Sequence, residues 1–232
     1  MAALLTSGSA SALGPGDGIE VRRVKVGQAE QAAPRERAAE RLAWEVRKRT
    51  SIETALTPSS TRFDDPSIFR TPLLYWSSDR GFDALSDKEL TGLRRFVEYG
   101  GFVIIDDAAP DTGSFDASVR RELARAFPSE RLERVPSSHT LFRSFYLIDG
   151  DAPLEAVMHA GRAAIVYTRQ DLGSSWISEE RMESAFGRTD SSEQRERATR
   201  LGVNLVMYAL CLDYKDDQVH APFILRRRAG RP

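Results

Sequence analysis

The stretch Tyr99-Gly100-Gly101-Phe102-Val103-Ile104-Ile105-Asp106-Asp107-Ala108 decides the fold class. Paired glycines permit the positive φ that ends a helix, four apolar residues follow as a strand covered on both faces, and two carboxylates close it. Upstream, Ser86-Asp87-Lys88-Glu89 is a capping box that starts the helix, and Leu90, Leu93 and Val97 give it an apolar inner face. Pro72-Leu73-Leu74-Tyr75-Trp76 is another buried strand before it. Strand, helix and strand in this order make a βαβ unit with a right-handed crossover, and a mostly parallel sheet is expected.

Outward from this unit the pattern repeats. Ile19 to Val26 reads as a half-exposed strand, with a bulge hinted at by Arg22-Arg23. Pro34 suits a first helical turn, and Ala38, Leu42 and Val46 recur at fourfold spacing up to Arg49. Ile52 to Phe69 is loop with at most a short strand, and Phe115 to Phe127 is a helix. Met158 to Arg162 resembles a hairpin leading into the strand Ala163 to Tyr167. Thr168 to Trp176 then reads as a polar loop facing the loops after Trp76 and Ile105, and Glu179 to Ser191 as a mobile excursion. Ala198, Leu201, Leu205, Tyr208 and Leu212 define a largely buried helix in which Asn204 needs backbone or loop partners. Val219 to Leu225 adds a final strand, confined to a sheet edge by Pro222.

Composition narrows the function classes. The 232 residues are 41% hydrophobic, enough for one large α/β domain. Lys+Arg 33 against Asp+Glu 34 leaves a net charge of -1, which gives no global attraction to nucleic acid or an acidic membrane surface, and the short basic tail Arg226-Arg227-Arg228 with Arg231 reads as a solvated end. The single cysteine, Cys211, excludes an internal disulfide and sits in an apolar helix where a thiol is inert. No metal or cofactor site is expected, and no run approaches the ~18 apolar residues of a membrane span. Ala2-Ala3-Leu4-Leu5 and Ala10-Ser11-Ala12 look like the end of a secretory leader, and Gly14 to Gly18 like a linker. The expected organisation is a leader remnant or disordered linker over 1–18, one domain over 19–228, and a tail over 229–232.

The site is expected in the loops leaving the C-terminal ends of the strands. Candidate ligand-binding residues there are Asp79 and Arg80 after the first strand of the βαβ unit, Asp106 and Asp107 after the second, and Arg169 in the Thr168–Trp176 loop. Asp79 and Arg80 also read as a mutual ion pair that shapes its loop. Candidate catalytic groups are Asp107, Asp171 and His139, the last equally a turn or capping residue. Successive strand residues point to opposite faces, so Asp106 and Asp107 cannot both address one ligand.

Five segments together resemble a bacterial family, domain of unknown function 4159, from about Ile19 to Arg228. They are Trp44 to Ser51, Pro72 to Trp76, Gly100-Gly101 with Asp106-Asp107, His139-Thr140-Leu141-Phe142, and Asn204 to Leu210. The resemblance implies a flavodoxin-like three-layer α/β/α sandwich similar to class I glutamine amidotransferases, and an export leader. It places the amidotransferase nucleophile at Asp107, or at Asp106 if the strand ends one residue earlier. An aspartate is no thiolate, so amide hydrolysis by a cysteine is not expected. The function expected is a catalytically degenerate, envelope-associated binding module holding a small polar ligand or partner protein. It would be exported to the periplasm, or cytoplasmic if residues 1–18 are the true N-terminus. The alternative is a hydrolase using Asp107 as nucleophile, base or metal ligand.

Overall fold

The computed structural model describes residues 18–27, 35–149, 152–177 and 192–229. The leader-like residues, Pro34 and the excursion Glu179–Ser191 lie outside them. The elements in chain order are β1 (Arg22–Val24), α1 (Ala38–Arg49), β2 (Ser60–Thr61), β3 (Leu73–Ser78), α2 (Asp87–Glu98), β4 (Phe102–Asp107), α3 (Ser114–Ala126), β5 (Leu132–Arg134), β6 (Leu154–His159), β7 (Arg162–Thr168), α4 (Leu172–Ile177) and α5 (Ser192–Ala229).

They form a mixed seven-stranded sheet in the order β2-β1-β3-β4-β7-β6-β5. Every pairing from β2 to β7 is parallel, whereas β6 runs antiparallel to both its neighbours. β3 and β4 pair in register along their whole length, Leu73 with Phe102 through Ser78 with Asp107. The local chemistry explains the central unit. Ser86 Oγ accepts from the Glu89 N–H while the Glu89 carboxylate accepts from the Ser86 N–H, closing the capping box of α2. Gly100, at φ 94°, turns the chain out of α2 into β4.

Helices cover both faces. Leu73, Tyr75, Phe102 and Ile104 pack with α1, α4 and α5, and Leu74, Trp76, Val103 and Ile105 pack with α2 and α3. This alternation is the period of two expected of a strand buried on both sides, and it is why α/β strands read as unbroken apolar runs. β6 and β7 join through Ala160 and Gly161, both at positive φ, in the manner of a two-residue hairpin turn.

Two expectations are corrected. The second half of Thr168–Trp176, expected to be a polar loop, belongs to a short helix, Leu172–Ile177, that turns the chain back over the sheet. Val219–Leu225, read as an edge strand, is helical within α5, and the sheet edges are taken by β2 and β5. β propensity at Val219, Phe223 and Ile224 is a weak prior beside propagation of a helix already under way, even though Pro222 removes one backbone donor. Among the described residues, no helix is long and apolar enough to cross a membrane.

Candidate functional site

The strand ends of β3, β4 and β7 meet at Asp106 and Asp107, both with no exposed surface. The pleat sends them to opposite sides of the sheet, and each finds a different set of partners.

Asp106 points toward α1, α4 and α5. Its Oδ2 accepts from the Tyr75 hydroxyl at 2.8 Å and from the Gly173 N–H at 2.7 Å, and its Oδ1 accepts from the Leu172 N–H at 3.0 Å. A carboxylate from β4 thus takes up donors that the first turn of α4 cannot satisfy within the helix. The approach is close enough to require glycine at position 173, where an added Cβ would lie 2.6 Å from the Tyr75 hydroxyl. Burial pushes the Asp106 carboxyl up to about 7, against the pull of the Gly173 N–H and with the Asp171 charge adding to the rise.

Asp171 extends this network. It sits at φ 50°, its Oδ1 accepts from the Ser174 N–H at 3.3 Å, and it is 2% exposed. Arg35 holds it with a fork, Nε to Oδ1 at 3.0 Å and Nη2 to Oδ2 at 2.6 Å, and the same Nη2 reaches the Ala108 carbonyl at 2.6 Å. No local pattern in the sequence marks Arg35, because the contact spans 136 positions. Tyr75 sits in an apolar strand run that hides the role of its hydroxyl, which donates to Asp106 beside the two amides.

Asp107 points toward α2 and α3. Its Oδ1 accepts from the Ala109 N–H at 3.0 Å, and its Oδ2 lies 3.4 Å from the Tyr167 hydroxyl and 3.9 Å from Arg169 Nε. Tyr167 donates its shorter bond to Asp116, at 2.9 Å, and Arg169 also donates to the Pro110 carbonyl. Burial raises the Asp107 carboxyl, opposed by the Ala109 N–H, the Tyr167 hydroxyl and Arg169.

The remaining candidates disperse. Arg80 Nε pairs with Asp79 at 3.1 Å, and the Ser78 hydroxyl bridges the backbone of the same loop, the ion-pair reading of that turn. His139 is at the other end of the sheet: it caps a short helical turn by accepting from the Leu141 N–H at 3.2 Å, and its ring lies against Tyr208. Tyr208 in turn contacts Phe102 and accepts from the Ala163 N–H, residues that begin β4 and β7. The length of β4, roughly 16 Å at 3.3 Å per residue, therefore separates His139 from Asp107. Burial lowers the His139 pKa and favours the neutral ring. Asn204, as expected, bonds to loop backbone, accepting from the Tyr146 N–H and donating to the Tyr146 carbonyl.

Two clefts flank the loop after β7. One, of about 380 Å³, is lined by Gln170, Asp171, Ser175 and Arg197 over Ile148, Leu172 and Leu201. The other, of about 270 Å³, lies between Arg134, Glu155, Tyr167 and Arg169, and Gln170 borders both. Among the described residues, no three His, Cys, Asp or Glu side chains are placed to hold a metal ion.

Fold and site define an α/β protein with a mostly parallel sheet, helix-covered on both faces, whose strand-end carboxylates serve as capping and turn-forming groups. The family described as Domain of unknown function (DUF4159) matches residues 20–210, and the chain belongs to it. No curated protein matches the chain.

Proposed function

We propose that the protein is a non-catalytic binding module that holds a small polar ligand in the cleft beside α4. The observation that carries this reading is the internal commitment of both carboxylates at the position where the amidotransferase resemblance puts a nucleophile. Asp106 accepts from Tyr75 and two backbone donors, and Asp107 accepts from the Ala109 N–H of its own turn and lies against Tyr167 and Arg169. Groups so engaged are poor nucleophiles and good scaffolding. The 380 Å³ cleft offers what a small-molecule site needs, an apolar floor with a few convergent polar groups. The finer fold reading, flavodoxin-like and similar to class I amidotransferases, is supported by the five parallel strands, which taken alone run in the order 2-1-3-4-5. Placement in the cell envelope rests on the leader-like Ala2 to Ala12.

A thermal-shift screen of small metabolites and divalent metals tests the reading. A ligand present at about 100 times its dissociation constant raises Tm by roughly 5–10 °C, and Gln170→Ala and Ser175→Trp abolish the rise. A shift that survives both substitutions would place the ligand elsewhere. The hydrolase alternative is favoured by one observation, the Tyr167 hydroxyl 3.4 Å from Asp107 beside the smaller cleft. It requires turnover of a hit compound that is lost in Asp107→Asn and Tyr167→Phe.

A further inference from the structure

We propose that the outer face of α1 docks on an anionic lipid surface. Arg37, Arg41, Trp44 and Lys48 fall at spacings of four, three and four, one stripe along the helix. That stripe lies opposite the buried Ala38, Ala39, Leu42, Ala43 and Val46. The protein as a whole carries a net charge of -1. Of the six arginines and lysines between Arg35 and Arg49, Arg35, Arg47 and Arg49 are paired with Asp171, Glu53 and Glu196, which leaves Arg37, Arg41 and Lys48 as the cations of the stripe. Glu45 is buried and shared by Arg41 at 2.9 Å and Arg49 at 2.7 Å. Glu40 faces Arg37 only at 3.8 Å, and Arg37 keeps 76% of its side chain exposed.

The aromatic residue in the stripe is what separates this face from an ordinary solvated one. Trp44 is half-buried, with the Arg41 guanidinium 4.2 Å and the Lys48 ammonium 4.6 Å from its ring centroid. Two cations are therefore gathered around one indole. Beside it, Leu56 and Ile177, both half-buried, line a cleft of about 260 Å³ whose rim carries Arg37 and Arg41 with Glu40 between them. A tryptophan and aliphatic groups flanked by cations match the layering of a membrane interface, where indole sits at headgroup depth and Lys or Arg meets lipid phosphate. The apolar side chains favour lipid over a nucleic acid or an acidic peptide, for which charge alone would suffice.

Cosedimentation of the full chain with vesicles tests the proposal. Binding is expected to phosphatidylcholine vesicles containing 30% phosphatidylglycerol and not to phosphatidylcholine alone, weakening as salt is raised. Arg37→Glu/Lys48→Glu, at two exposed positions, should lower the partition coefficient by roughly 25-fold or more, at about fivefold per lost cation, with an unchanged melting temperature. Trp44→Ala should weaken binding further at high salt, where charge is screened. No binding, equal binding to neutral vesicles, or binding untouched by the double substitution would each overturn the proposal. So would capture of polyglutamate or single-stranded DNA without vesicle binding.

Discussion

The two sides of β4 treat adjacent aspartates differently. On the α4 side, Asp106 joins three segments distant in sequence: β3 through Tyr75, α4 through Leu172 and Gly173, and, by way of Asp171 and Arg35, the approach to α1. On the α3 side, Asp107 shapes the turn two residues after it and shares Tyr167 with Asp116. One residue of offset along a strand thus separates a long-range tie from a local one. The lesson is that a buried carboxylate's importance depends on which donors it alone can satisfy, rather than on burial, since neither has any exposed surface.

The sharpest test is Asp106→Ala, which leaves the Tyr75 hydroxyl and two α4 amides buried without an acceptor. A loss of roughly 3–5 kcal/mol is expected by urea denaturation. This loss depends on pH in a defined direction. The folded-state pKa, about 7, lies above the ordinary 3.8, so the native state holds a proton that the unfolded state releases. That contribution to stability is complete below about pH 4 and fades as pH rises through 7. The penalty of Asp106→Ala is therefore larger at pH 5 than at pH 8, by roughly 3 kcal/mol. An equal penalty at both values would mean that Asp106 is ionised throughout.

Arg35→Met should come next. It leaves the Asp171 carboxylate, 2% exposed, without its fork, at a cost of about 2–3 kcal/mol. Arg35→Met combined with Asp106→Ala costs measurably less than the sum of the two, because both act on the turn that opens α4.

Asp107→Asn should be the mildest, about 1 kcal/mol or less, because an amide oxygen still accepts from the Ala109 N–H. A loss as large as that of Asp106→Ala would erase the contrast between the two sides.

Much of this fold was legible because its signals are local. The capping box at Ser86, the glycine pair after Tyr99 and the apolar runs of β3, β4 and β7 each lie within a dozen residues and obey one periodicity. Alternation along β4 also foretold that the two aspartates part company. What stayed hidden was α4 and the ties it makes. Leu172-Gly173-Ser174-Ser175-Trp176-Ile177 spans six residues with one glycine and two serines, too short and too poor in helix formers to announce a helix. It forms because Asp106 and Asp171 supply acceptors for its first turn and because Trp176 packs beneath α5, its indole N–H on the Ala198 carbonyl. Nor can sequence alone show two cations converging on Trp44. At the C-terminal end of the chain, side-chain preference at Val219–Leu225 pointed to a strand where the backbone continues as helix.

The order of synthesis gives the Asp106 network a further meaning. A ribosome delivers β3 and β4 well before β7 and α4, whose amides lie 66 and 67 positions beyond the carboxylate they bond. Until those residues emerge, Asp106 keeps its water and its charge at the end of a nascent apolar strand, a solubilising group on a surface otherwise prone to stick. Only the arrival of Leu172 and Gly173 exchanges that hydration shell for peptide donors. The same residue guards the unfinished chain and seals the finished one.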